Sequence, residues 1–207
     1  MKQTISNFLD VSRVEVGRRG ELIMLGVLLA LLAVVTFVCP LVAMSTGTPI
    51  INNQFLIGPA VNAALIIGAI TLRGLWKVLP VVFMPSVAAI SLNLFFAVGN
   101  NFMLFMIPAI WAGNLALVLV FKYFFVKMKA NFIVVSFIGV AAKVGIIFLT
   151  YYVLLSTSVI PQGSPVATAM WSMMGLNQAI TATVGCLIAF GTVKLIQTRQ
   201  TKLAQNT

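Results

Sequence analysis

The stretch ANFIVVSFIGVAAKVGIIFLTYYVLL, residues 130–155, decides the fold class of this chain. A helix of about 20 apolar residues spans a bilayer, so this stretch is long enough to cross, with Lys143 near the midplane. A charge at that depth costs about 2.5–3.5 kcal/mol on insertion scales and must face protein, water or a ligand. The sequence has no Asp or Glu after Glu21, so no later carboxylate can pair with Lys143.

The composition is that of an integral membrane protein. Of the 207 residues, 61% are hydrophobic and 8% are charged, whereas soluble domains are about 25% charged. The net charge of +10 lies in short segments between apolar runs, which favours a lipid bilayer over nucleic acid as the partner. With no histidine, and with both cysteines inside apolar runs, we expect no metal site and no cofactor.

Six apolar runs follow one another, and each is long enough to cross a membrane. They cover residues 22–44, 55–72, 78–98, 102–121, 132–155 and 166–193. The sequence therefore predicts an all-α integral membrane protein, a single domain over residues 1–207 built as a bundle of six transmembrane helices. Residues 1–20 and 194–207 would be cytoplasmic segments, the first as a short interfacial helix or a solvated tail.

Charge alternates between the predicted loops. Loops 73–77 and 122–129 and the C-terminal tail are basic, whereas loops 45–54, 99–101 and 156–165 carry no charge. Positive segments stay on the cytoplasmic side, so this alternation predicts a multi-pass protein of the cell membrane with both termini in the cytoplasm.

Polar side chains inside the spans are the candidate functional residues. Ser136, Lys143 and Thr150 are spaced by seven and share one helical face. Amides occur on the other spans, at Asn62, Asn93, Asn114, Asn177 and Gln178. An amide can simply cross-link helices, for about 0.6 kcal/mol. A full charge is harder to compensate, so Lys143 indicates either a substrate or gating site, or a side chain that extends into an inner water-filled cleft.

Two tryptophans lie in the predicted outer halves of spans four and six, Trp111 and Trp171. They could anchor the protein at the membrane interface or form the walls of a ligand site. The substrate-site hypothesis comprises the six residues Asn114, Lys143, Asn177, Gln178, Trp111 and Trp171. A lysine without an acidic partner favours an anionic or carbonyl-bearing small molecule.

Small residues at a spacing of four allow helices to approach closely. Gly26 and Ala30, with Ala33, form such a pattern on the first span, and Gly185 and Ala189 form another on the sixth. The spans contain no Asp, Glu or His to couple an ion gradient, and the sequence has no P-loop. We expect no enzyme, and a transporter of this sequence would take its energy from another subunit.

The sequence resembles the substrate-binding membrane subunits, called S components, of energy-coupling factor vitamin transporters. The resemblance lies in the length, the six spans, the neutral outer loops, and the segments IGPAVNAALIIGA (57–69) and GLNQAITATVGCLIAF (175–190). It implies a vitamin-like substrate under the first loop among spans four to six, a membrane coupling subunit that docks on Gly26, Ala30 and Ala33, and two cytosolic ATPases. Two other functions remain open: a membrane anchor or scaffold subunit, and a self-sufficient facilitator.

Overall fold

The computed structural model describes residues 10, 12–13, 17–46, 50–92 and 101–205. All regular structure in these residues is helical. The α-helices are α1 (Arg18–Ala33), α2 (Cys39–Thr46), α3 (Ile50–Thr71), α4 (Leu75–Ser91), α5 (Ile107–Val120), α6 (Phe132–Ser156), α7 (Pro165–Met174) and α8 (Leu176–Gln205). A π-helical segment, Val34–Val38, joins α1 to α2, and a second, Phe121–Lys127, extends α5. A 3₁₀ segment, Asn101–Met106, precedes α5.

The predicted all-α membrane class is confirmed by the lengths and apolarity of these helices. Four continuous helical stretches could cross a bilayer: Arg18–Thr46, Leu104–Lys127, Phe132–Ser156 and Pro165–Arg199. Two shorter apolar helices, Phe55–Thr71 and Leu75–Ser91, correspond to the second and third predicted runs.

Several predicted boundaries are wrong, and the errors share one cause. Hydropathy changes where polar residues begin, but backbone hydrogen bonding continues a helix past that point. The predicted loop at 122–129 is helical through Lys127; the predicted cytoplasmic tail at 194–207, whose side of the membrane stays a prediction, begins as a continuation of α8 to Gln205. The sixth run is divided at Gly175, between α7 and α8. Residues 93–98 of the third run, and Asn93 with them, lie outside the described residues.

Helix α3 occupies the centre of the bundle. Every residue from 61 to 72 is buried, and α3 contacts α1, α4, α5 and α8. Its sequence is apolar on all sides, and such a helix is stable only where other helices cover it all round. The predicted second span, which has the weakest hydropathy signal near its start, is therefore the core of the fold.

Glycines allow α3 and α8 to pack closely. A Cβ on Gly185 would lie 2.5 Å from Asn62 Cβ and 2.9 Å from the Pro59 carbonyl oxygen, and a Cβ on Gly58 would lie 2.7 Å from Thr181 Cβ. The close approach predicted from Gly185 is therefore confirmed. In contrast, a Cβ on Gly26 would meet nothing within 4 Å.

Charged side chains gather at one end of the bundle, which we call the basic end. Glu21 of α1 is buried and forms ion pairs with Arg73 (3.1 Å) and Lys77 (2.5 Å). The buried Lys122 ammonium donates to the Leu72 carbonyl oxygen at the end of α3 (2.6 Å). The Glu21 carboxylate thus connects α1 to the turn between α3 and α4, through Arg73, and to α4 itself, through Lys77.

Gly185→Ala should lower the thermal stability of the purified protein. The added methyl group overlaps Asn62 and the α3 backbone, and overpacking of this kind costs about 1–3 kcal/mol. Gly191→Ala on the same helix is the matched control, because a Cβ there meets nothing within 4 Å and alanine favours a helix by up to about 1 kcal/mol. Equal melting temperatures for the two variants would contradict the close α3–α8 contact.

Glu21→Gln should also destabilise the fold, because both ion pairs at the basic end lose their charge. Hydrogen bonds to charged groups contribute about 1.5–3 kcal/mol each, and the partial exposure of Arg73 and Lys77 reduces that figure. Asp10→Asn removes the same charge from an exposed residue and serves as the control. Thermal unfolding should show a larger decrease in melting temperature for Glu21→Gln than for Asp10→Asn.

Candidate functional site

Lys143 faces the interior of the bundle, as its position on span five predicts. The buried residues of α6 recur every three or four positions: Phe132, Val135, Gly139, Lys143, Ile147 and Tyr151. This spacing defines the helix face that packs against the other helices. Lys143 itself is 3% exposed, so its whole side chain lies among protein atoms.

The partner of Lys143 is an amide on the central helix. Its ammonium donates to Asn62 Oδ1 at 2.5 Å, and Asn62 is 1% exposed. Asn62 Nδ2 donates in turn to the Gly58 carbonyl oxygen at 2.8 Å, which holds the amide oxygen toward Lys143. The sequence identified Asn62 as a mid-span amide but did not include it in the site. Its position near the middle of an apolar run was the available signal.

This hydrogen bond does not neutralise the charge. An ammonium has three N–H donors, and an amide oxygen is an uncharged acceptor. Within the described part of the chain, Asn62 is the hydrogen-bond partner of Lys143 Nζ. A buried cation is stabilised by an anion or by several oxygen acceptors. The site thus retains capacity for an anionic or carbonyl oxygen.

Helix α5 packs closely beside Lys143 and carries two of the predicted residues. A Cβ on Gly113 would lie 3.0 Å from the Lys143 carbonyl oxygen and 2.9 Å from an Ile147 side-chain carbon. The next residue, Asn114, is 1% exposed and donates to the Val82 carbonyl oxygen at 3.4 Å. Its Oδ1 is buried without a hydrogen-bond partner among the described residues, as is Nε1 of Trp111. The side of α5 that faces α4 therefore holds one acceptor and one donor in reserve, next to the side on which Gly113 contacts α6.

The segment of α8 that carries Asn177 and Gln178 is linked to Lys143 through residues of α3. Thr181 packs against Gly58, whose carbonyl oxygen orients Asn62. The Thr181 hydroxyl donates to the Asn177 carbonyl oxygen at 2.8 Å and lies 3.3 Å from that of Gln178. Asn177 is buried and Gln178 half-buried. Asn177 and Gln178 thus lie one helical turn before Thr181, the residue of α8 that contacts α3 at Gly58.

Trp171 lies apart from the other predicted residues. Its side chain is 52% exposed, and its ring centroid is 6.5 Å from that of Phe148. Trp111, by contrast, is half-buried and packs edge-on against Phe83 with a centroid distance of 4.8 Å. These positions favour anchoring at a membrane interface for Trp171, whereas Trp111 lies between α5 and α4.

The three residues of the predicted polar stripe on α6 have different surroundings. Thr150 is half-buried and donates to the Ile146 carbonyl oxygen of its own helix at 3.0 Å. Ser136 lies two turns before Lys143 and lines a groove between α6 and α8. Lys143 is therefore the member of the stripe that enters the bundle.

The predicted docking residues lie on the outer surface. Gly26 and Ala30 are exposed and Ala33 is half-buried. They share α1 with exposed apolar side chains, such as Ile23 at 61%. This face of α1 is available to lipid or to another membrane protein.

Substitution of Lys143 and Asn62, singly and together, should show that the two side chains interact directly. Asn62→Leu leaves a buried ammonium without its acceptor, and such losses cost about 3–5 kcal/mol. Lys143→Met removes the charge and should cost less. The double variant should be more stable than Asn62→Leu alone, as measured by thermal unfolding in detergent. Additive losses in the double variant would contradict a direct interaction.

No protein family, curated protein or solved structure matches this chain.

Proposed function

We propose that this protein is the substrate-binding subunit of a multi-subunit membrane transporter of the energy-coupling factor type. It crosses the cell membrane six times, with both termini in the cytoplasm, and takes up a small vitamin-like molecule. A separate membrane coupling subunit and two cytosolic ATPases supply the energy. The observation that carries this proposal is the buried Lys143 ammonium, whose partner is a neutral amide and which has no carboxylate partner among the described residues.

The chemistry of the site supports an anionic or carbonyl-bearing substrate. A carboxylate or carbonyl oxygen would accept from the remaining N–H donors of Lys143 in a charge-assisted hydrogen bond. The reserve polar atoms on α5, Asn114 Oδ1 and Trp111 Nε1, would bind a donor and an acceptor of the same molecule. Asn177 and Gln178 would close the site from α8.

The lack of a driving group supports a dependent transporter. Ion-coupled carriers place ionisable groups such as Asp, Glu or His within the membrane, and this chain has none of the three after Glu21. The exposed face of α1 around Gly26 and Ala30 offers a surface for the coupling subunit, since small residues let two helices approach closely.

An anchor or scaffold subunit is the second candidate. The chain of hydrogen bonds from Lys143 through Asn62 to Gly58 favours an anchor or scaffold, because these bonds stabilise the helix packing without any ligand. This function predicts that the protein forms a stable complex through α1 and that no small molecule accompanies it.

Mass spectrometry of the purified protein tests the proposed function. A small anionic or carbonyl-bearing compound should accompany the wild type and be reduced at least tenfold in Lys143→Met. Lys127→Met, a cation at the basic end, is the control and should retain the compound. Lys143→Arg, which keeps the charge, should retain part of the binding.

Equal amounts of the compound in wild type and Lys143→Met would overturn the site assignment. If Lys143→Met shows no melting transition, Asn114→Ala would be tested in its place. That variant removes a reserve acceptor and leaves the buried charge. Uptake into vesicles that contain this chain alone would favour a self-sufficient facilitator. Uptake that requires the coupling subunit and ATPases would support the proposed transporter.

A further inference from the structure

A groove of about 580 Å³ lies between α6 and α8, both of which belong to stretches of membrane-spanning length. Its lining is almost entirely apolar. The space exists because Ala141, Ala179 and Thr183 are small, whereas Phe137 and Leu187 project on either side and are 79% and 68% exposed. An open apolar groove on a membrane-embedded surface is in contact with acyl chains.

Aromatic and basic side chains mark one end of this groove. The rings of Phe132 and Phe190 lie 5.1 Å apart, centroid to centroid, and line the end of the groove nearest the basic end. Lys194 is one turn beyond Phe190, and its Nζ folds back to 4.6 Å from the Phe190 ring centroid. Lys129 is exposed in the segment just before α6. No acid follows Glu21 in the sequence, so α6 and α8 carry no carboxylate that competes for these cations.

A hydroxyl group lies between the cations and the apolar part of the groove. Ser136 lines the groove one turn along α6 from Phe132, about 5–6 Å along the helix axis. Its Oγ is buried and makes no hydrogen bond to an oxygen or nitrogen atom of the described residues. It lies beside the Cys186 thiol, which is a weak hydrogen-bonding group. The thiol is a weak acceptor, so the Ser136 hydroxyl keeps the capacity to donate to a ligand oxygen at this level of the groove.

The order of these groups matches that of a phospholipid. Along the groove, an ammonium is followed by a hydroxyl and then by an apolar channel. A phospholipid has an anionic phosphate, then an ester carbonyl, then an acyl chain. We propose that the α6–α8 groove binds one acyl chain of an anionic membrane phospholipid, with the headgroup at Lys194 and an ester carbonyl at Ser136. The groove shares Cys186 with the surroundings of Lys143, but the lipid site does not depend on the proposed transport function.

Native mass spectrometry of the full-length protein tests the lipid site. The protein in mild detergent would be mixed with phosphatidylglycerol or phosphatidylcholine of identical acyl chains. The wild type should retain phosphatidylglycerol several-fold more often than phosphatidylcholine. Lys194→Gln should reduce phosphatidylglycerol to the phosphatidylcholine level, because the acyl channel remains but the charge is lost. Arg19→Gln, an exposed cation on α1, should behave as the wild type.

Filling the groove tests the acyl-chain part of the proposal. Ala141→Leu places a larger side chain in the groove at an exposed position and should reduce retention of both lipids at least threefold. Ala112→Leu, the same exchange at an exposed position of α5, is the matched control and should have no effect. Thr183→Leu, also exposed in the groove, is a second filler in case Ala141→Leu fails to elute as a single folded species.

Several outcomes would overturn the proposal. Equal retention of the two lipids by the wild type, or an unchanged preference in Lys194→Gln, would exclude the headgroup contact. Unchanged retention in both Ala141→Leu and Thr183→Leu would exclude the groove. Displacement of phosphatidylglycerol by equimolar palmitate would identify a fatty-acid site instead. A wild-type dimer that Ala141→Leu dissociates would identify an interface between two copies of this chain.

Discussion

The burial of one positive charge in a chain with no later carboxylate constrains the centre of this structure. Lys143 cannot use an ion pair, so its ammonium takes the oxygen of an amide on the neighbouring central helix. That amide must be held in one orientation, and the Gly58 carbonyl oxygen holds it. The close packing of α3 and α8 follows, because Gly185 leaves room for Asn62 beside it. Hydrogen bonds and close packing around the Asn62 side chain thereby connect α6, α3 and α8.

Charge is distributed very unevenly over the molecule. The basic end gathers its cations around Glu21 and the end of α3, whereas the middle of the bundle contains one ammonium and several amides. In a medium of low polarity each unsatisfied polar atom is costly. Asn114 Oδ1 and Trp111 Nε1, on the side of α5 that faces α4, are such atoms, and so is Ser136 Oγ in the lining of the α6–α8 groove. Recognition of both ligands would use polar groups that the fold itself leaves unmatched.

Hydropathy predicted the helices far better than their ends or their partners. The run at 132–155 became α6 with a difference of one residue at its end, because its apolar stretch and its helix end together. The run at 166–193 was divided at Gly175 and continued to Gln205, since helical hydrogen bonding is indifferent to the polarity of the side chains. For the same reason, two similar small-residue patterns had different outcomes. Gly185 packs against α3, whereas Gly26 faces outward.

The sequence by itself determined the membrane class, the helical architecture and the inward face of Lys143, because each follows from local periodicity and from the cost of an exposed charge in lipid. Only the tertiary structure decided that α3 is the central helix and that Asn62 is the partner of Lys143. It also separated Trp171 from the site and opened the groove between α6 and α8. These features depend on which helix faces lie side by side, and that choice is made by the shapes of residues far apart in the chain.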